Sequence, residues 1–149
     1  MIHYSVDSQV AFFVIRRYYL RKSNFKEDSN YLLGKLGEQI AATYYEEQNF
    51  RIVSRNWRWS NKGEIDVIAY NRDINLLVFC EVKTRKYGCL ISGCYAVNTQ
   101  KQSKIRTLAQ VFILKNTQYS LSSVRFDVFD IVYDTESGII EKNILENAF

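Results

Sequence analysis

Three residues near the middle of the chain, Asp66, Glu81 and Lys83, have the types and spacing for metal-assisted chemistry. Residues Ile65–Tyr70 and Leu76–Val82 are rich in β-branched and aromatic side chains and read as strands. Asn71-Arg72-Asp73-Ile74-Asn75, with turn formers at both ends, joins them. A hairpin pivoting at Asp73 and Ile74 pairs residues whose numbers sum to about 147. Asp66 then falls opposite Glu81 or one place off. Strand alternation points Glu81 and Lys83 to one face and Cys80 and Val82 to the other. Two carboxylates and a lysine on one patch can hold a divalent metal and steady a water beside it. The same residues also allow a plainer arrangement, in which Glu81 and Lys83 form a surface pair worth a few tenths of a kcal/mol. Against that, Val78-Phe79-Cys80 and Val82 make this strand apolar on both faces, as in a covered central strand. A charge there is costly unless it is paired or bound to metal.

The surrounding elements follow from periodicity. Tyr31–Gln48 reads as a helix with Leu32, Leu36, Ile40, Ala41 and Tyr44 as its buried stripe and Glu38 beside that stripe. Gly34 and Gly37 each weaken such a helix by about 1 kcal/mol against Ala. Something is therefore expected to pack closely on that turn, or the helix starts nearer Gly37. Phe50–Trp57 is a strand, and the aromatic-basic cluster Asn56-Trp57-Arg58-Trp59 closes it. Ser60-Asn61-Lys62-Gly63 turns the chain into the hairpin. An irregular loop runs from Arg85 to Asn98, and Thr99 is the expected N-cap of a helix over Gln100–Asn116. Ile105, Leu108, Ala109, Phe112 and Ile113 form its apolar stripe. Lys101, Lys104 and Arg106 oppose the helix dipole there, which predicts a reason other than stability for their presence. Val124–Tyr133 and Ile139–Leu145 are strands joined by a turn over Asp134–Gly138. The class is α/β: a mixed five-stranded sheet flanked by helices, in order αβββαββ, with the first helix across the hairpin.

At 149 residues the chain is long enough for one well-buried domain, assigned to residues 30–149. Residues 1–29 read as an N-terminal extension. In it, Val10–Ile15 and the basic-aromatic run Arg16–Lys22 suit an amphipathic helix, and Ser23–Ser29 suits a linker. The basic run reads as a solvated helix face in preference to a phosphate contact. An apolar share of 47% with 24% charged residues is ordinary for a globular protein. No apolar run approaches the roughly 18 residues of a membrane span, and Val10–Ile15 precedes its charges, the reverse of a secretory signal. A cytoplasmic location without membrane contact is expected. The three cysteines have no framework spacing and suit free thiols. A single histidine, His3, argues against zinc and most histidine-based catalysis. Net charge +4 and pI near 8.9 are compatible with nucleic-acid binding without requiring it.

Several of these segments form an ordered set. Gly37-Glu38-Gln39-Ile40-Ala41-Ala42, Asn56-Trp57-Arg58, Gly63-Glu64-Ile65-Asp66-Val67-Ile68 and Glu81-Val82-Lys83-Thr84-Arg85 are followed by Phe126-Asp127-Val128 and Asn147-Ala148-Phe149. Over Tyr31–Phe149 the chain resembles the YraN-like family of bacterial proteins, within the PD-(D/E)XK nuclease superfamily. The resemblance implies a restriction-endonuclease-like core. It implies Asp66 and Glu81 as metal-binding carboxylates, Lys83 as the catalytic lysine and Glu38 as a further catalytic and metal-binding acid. Glu64 and Gln100 are weaker candidates. Mg²⁺ or Mn²⁺ is the implied cofactor, since such ions take hard oxygen ligands and keep several waters. Arg58, Lys62, Arg85, Lys101 and Lys104 form the expected nucleic-acid-binding surface. The function expected is metal-dependent phosphodiester hydrolysis on DNA, on branched or damaged structures. The alternatives are a nucleic-acid-binding module of the same fold without useful activity, and an interaction protein using the Trp57–Trp59 edge. RNA as substrate and a homodimer are left open.

Overall fold

The computed structural model of the protein describes residues 26–87, 97–134 and 140–149. Strands Arg51–Arg58 (β1), Glu64–Asn71 (β2), Leu76–Lys86 (β3), Ser123–Tyr133 (β4) and Ile140–Leu145 (β5) form one sheet in that spatial order. β3 and β4 are parallel, and every other neighbouring pair is antiparallel. A parallel pair needs a crossover, and helix Thr99–Lys115 (α2) lies within it; helix Lys26–Glu47 (α1) precedes the sheet. The αβββαββ order and mixed five-stranded sheet read from the sequence are what the chain adopts.

β3 is the middle strand, and Leu77, Val78, Phe79 and Cys80 are all fully buried. Leu77 and Phe79 pack with Leu108, Ala109 and Phe112 of α2. Val78 and Cys80 pack with Ile40, Ala41 and Tyr45 of α1. Each helix thus covers one face of the sheet, and burial of each large apolar side chain is worth about 1.5–3 kcal/mol. The hairpin has the register expected of it, with Val67 opposite Cys80 and Ile68 opposite Phe79. Its turn is closed by Asn71 Oδ1, which accepts from the backbone N–H of Asp73 at 3.0 Å.

Local departures have identifiable causes. α1 begins at Lys26, inside the stretch read as a linker. Its buried face is Leu33, Gly37, Ile40, Ala41, Ala42 and Tyr45, with Leu36 and Tyr44 packed at its margin, so the expected stripe holds except that Leu33 takes the place of Leu32. Gly37 lies on that face. A Cβ there would collide with Thr84 Oγ1 and lie 3.3 Å from Val82 Cγ1, so the helix meets β3 through its glycine. Gly34 has no such neighbour within 4 Å among the described residues, and close packing there explains Gly37 alone. The N-cap of α2 is Asn98, one residue before Thr99; its side chain accepts from Lys101 N at 2.9 Å. The α2 stripe is as read, with Ile113 at its margin. Cys80 is a free thiol. His3, Cys89, Cys94, the basic run at 16–22 and most of the 134–138 turn lie outside the described residues.

The carboxy-terminal motifs are structural. Asp127, fully buried, accepts from Tyr45 Oη at 2.7 Å, from Arg125 Nη2 at 2.9 Å and from Asn147 N at 3.0 Å. Burial, with the charges around it, holds the Tyr45 hydroxyl well above its usual pKa, so it stays a donor. Ala148 N donates to Phe126 O, and the rings of Phe126 and Phe149 stack at 5.3 Å beneath the Arg106 guanidinium.

Candidate active site

The last backbone pair of the β2–β3 ladder is Val67–Cys80. Just beyond it, Asp66 Oδ2 accepts from Val82 N at 2.7 Å, so a carboxylate bridges the strands where the ladder ends. Glu81 stands beside it with only 3% exposure. Its Oε1 accepts from Lys83 Nζ at 2.6 Å. Its Oε2 lies 3.0 Å from Lys101 Nζ of α2, an ion pair without hydrogen-bond geometry, and has no hydrogen-bond donor. A carboxylate this buried is tolerated because two cations, one from its own strand and one from the facing helix, compensate it. Burial, and after it the Glu81 charge, push the Asp66 carboxyl up to about 7, against the opposing pull of the Val82 N–H and Lys101.

Glu38 approaches from the other helix. Its Oε2 accepts from Asn56 Nδ2 at 2.6 Å and pairs with Lys35 Nζ at 2.9 Å. Asn56 has φ +50°, a left-handed conformation that asparagine accepts more readily than most residues. Arg55 and Asn56, consecutive on β1, both direct side chains to α1: Arg55 donates to Gln39, and Lys35 donates to Asn56 Oδ1. The Glu38 charge reaches Asp66 and helps to raise its pKa, but no hydrogen bond joins the two. Among the described residues, no three His, Cys, Asp or Glu side chains are grouped closely enough to cage a metal. The donor set nevertheless fits Mg²⁺ or Mn²⁺, which need few protein ligands because they keep waters. Asp66 and Glu81 are hard oxygen donors, Glu81 Oε2 lacks a hydrogen-bond donor, and a cation would offset the burial and the Glu81 charge that raise the Asp66 pKa.

The model of the uncharacterised protein family UPF0102 matches residues 37–131, from the Gly37 contact to near the end of β4. The chain belongs to this family. A UPF0102 protein of Clostridium botulinum (strain 657 / Type Ba4) is 40% identical over 118 residues, 78% of this chain and 93% of its own length. One from Desulforamulus reducens is 35% identical over 116 residues, with the same two coverages of 78% and 93%. One from Dictyoglomus turgidum is 34% identical over 121 residues, 81% of this chain and 99% of its own. UPF0102 is the YraN-like family whose motifs the sequence carries, a branch of the PD-(D/E)XK superfamily.

The UPF0102 match takes in Glu38, Asp66, Glu81, Lys83 and Lys101. Of the remaining candidates, Glu64 is paired with Arg58 at 2.6 Å on the exposed edge of the sheet and does not join Asp66. Arg85 makes a two-point contact with buried Asp130, at 3.2 and 2.7 Å. Lys62 and Lys104 have no carboxylate partner among the described residues, and Gln100 is exposed near them on α2. Trp57 is partly buried against the core, edge-on to Phe112 at 5.2 Å, so the more exposed ring of the Trp57–Trp59 edge is Trp59. Lys101, read from the sequence as a phosphate contact, faces Glu81; the opposed helix dipole was the one signal of that role. Lys35 lies three residues before Glu38 on the same helix, a spacing that makes them neighbours, whereas nothing in residue spacing pointed to Asn56 as a partner of Glu38. No described helix of this UPF0102 chain is long and apolar enough to cross a membrane.

Proposed function

We propose that this chain hydrolyses phosphodiester bonds of DNA with Mg²⁺ or Mn²⁺, acting on branched or damaged structures. The observation that supports this reading is the pairing of Asp66 and Glu81 at the end of the hairpin with Lys83 Nζ 2.6 Å from Glu81. Asp66 and Glu81 would hold the metal, with Glu38 as a further acid beside them. Bound, the metal would neutralise charge developing on the phosphate and acidify water. Lys83, tethered to Glu81, would orient the attacking water or donate to the phosphate oxygens. Asp66 must be ionised to serve, which a nearby dication favours.

The test is incubation of the purified protein with flap, fork, four-way-junction and linear DNA, with Mg²⁺, Mn²⁺ or chelator, beside Asp66→Asn and Glu81→Gln. Metal-dependent cleavage lost in both variants is expected. DNA binding without cleavage under every condition would reject hydrolysis. It would favour a second reading, a nucleic-acid-binding module. That reading has its own support, because Lys101 and Lys83 already compensate Glu81, and Lys35 compensates Glu38, without any metal.

A further inference from the structure

A groove of about 580 Å³ runs along α2, between the helix and the turn that carries Trp59 and Lys62, and reaches down to the core residue Leu108. One wall is the turn after β1, where Lys62 N donates to Trp59 O and Trp59 N to Gly63 O. Gly63, at φ +132°, lets that turn press on the helix: a Cβ there would lie 3.3 Å from Lys104 Cδ and 3.5 Å from Leu108 Cδ1. The other wall is one face of α2, with Ser103, Lys104 and Thr107 above the apolar Leu108. The groove opens at Gln100, whose chain neighbour Lys101 touches Glu81. Trp59 is 37% exposed, and Lys115 Nζ lies 4.1 Å from its ring centroid.

We infer that this groove holds a single strand of DNA, one base stacked on Trp59 and the flanking phosphates on Lys62 and Lys104, leading an unpaired arm to the acids. Charge and shape select the occupant. Two lysines without carboxylate partners among the described residues call for an anion, while an exposed indole over an apolar floor calls for a flat aromatic group. A nucleotide strand carries both at the needed alternation, and stacking of this kind tolerates any base. The inference deepens the hydrolysis reading and rests on it for the arm's destination; binding itself does not need catalysis.

The chain has two tryptophans, and Trp57 is packed against Phe112, so intrinsic fluorescence can report on Trp59. The experiment titrates a short oligothymidylate, in chelator so that nothing is cut, against a duplex and an oligouridylate of equal length. Oligothymidylate is expected to quench the emission and bind more tightly than either competitor. Trp59→Ala should weaken binding about 5- to 150-fold. Lys62→Glu with Lys104→Glu should weaken it and flatten its salt dependence. Undiminished affinity in Trp59→Ala, binding without quenching, or equal binding of the duplex would overturn the groove assignment; tighter oligouridylate binding would overturn DNA as its strand. Failure here with intact metal-dependent cleavage removes this inference alone. A quenched groove in a protein that cuts no DNA removes hydrolysis alone.

Discussion

Lys101 Nζ of α2 and Glu81 Oε2 of β3 stand 3.0 Å apart, and this pair ties the crossover helix to the central strand at the acid cluster. It also supplies positive charge at the one carboxylate oxygen of Glu81 that lacks a hydrogen-bond donor. An ammonium and a divalent metal would compete for that oxygen.

Lys101→Met keeps the aliphatic stem and removes the charge. Without metal the variant should lose about 1–3 kcal/mol, because a buried carboxylate is left with one cation in place of two. With saturating Mg²⁺ or Mn²⁺ the loss should shrink, and Mn²⁺ affinity should rise. Melting curves with and without metal and a Mn²⁺ titration measure both. Unchanged metal affinity would separate Lys101 from the site.

The Asp66 carboxyl, pushed up to about 7, gives a signed pH dependence. Its folded value lies above the unfolded one, so the protonated form favours folding, and that contribution is lost as pH rises from about 4 through 7. Relative to Asp66→Asn, the metal-free wild type should therefore lose stability over this window, by at most about 1.4 kcal/mol per pH unit. Metal reverses the demand, since its ligand must be ionised, so stabilisation by Mg²⁺ should grow over the same window. Parallel pH–stability curves for wild type and Asp66→Asn would refute the shift.

Lys83→Met separates chemistry from folding. It should retain metal and DNA binding while single-turnover cleavage falls by about 10²–10³, the size seen when one donor to a transition state is removed. Metal-free stability should fall slightly, and bound metal should reduce that loss. Wild-type cleavage rates in the variant would leave Lys83 as no more than the ion-pair partner of Glu81.

Gly37→Ala tests the helix–strand contact. Its new methyl meets Thr84 Oγ1 and Val82 Cγ1, and overpacking of this kind should destabilise by about 1–3 kcal/mol. Combining it with Thr84→Ala should recover part of the loss, and a double-mutant cycle by urea unfolding reads the coupling. Additive effects would mean that the helix relieves the contact by moving.

Asp127 provides the contrast between a structural acid and a site acid. Asp127→Ala leaves Arg125 with Glu146 alone and removes the acceptor of Tyr45 and Asn147, at a cost of about 1–3 kcal/mol. Metal binding by the folded fraction should be unaffected. A loss of metal affinity matching that of Asp66→Asn would place Asp127 in the site.

Patterns that depend on backbone period alone were legible in the sequence. The two-residue alternation of Leu76–Val82 and the turn at Asn71–Asn75 determined the hairpin, its register and the meeting of Asp66 with Glu81. The 3.6-residue period of Ile105, Leu108, Ala109 and Phe112 determined the inner face of α2. Where the period allowed two answers, only tertiary packing chose. Leu32 and Leu33 both continue the helical stripe of Ile40 and Ala41, and packing on β3 around Gly37 buries Leu33. The same holds for charge. Asp66, Asp127 and Asp130 are one residue type in strands of similar composition, yet Asp127 is satisfied by Tyr45, Arg125 and Asn147, and Asp130 by Arg85, while Asp66 lies against Glu81. Lys101, set apart in the sequence only by its opposition to the helix dipole, gained its partner when the crossover helix met β3, and Asn56 gained Glu38 when β1 met α1. Local geometry repeats along the chain and can be read from it. The partner of a charge depends on which distant segment the fold lays beside it.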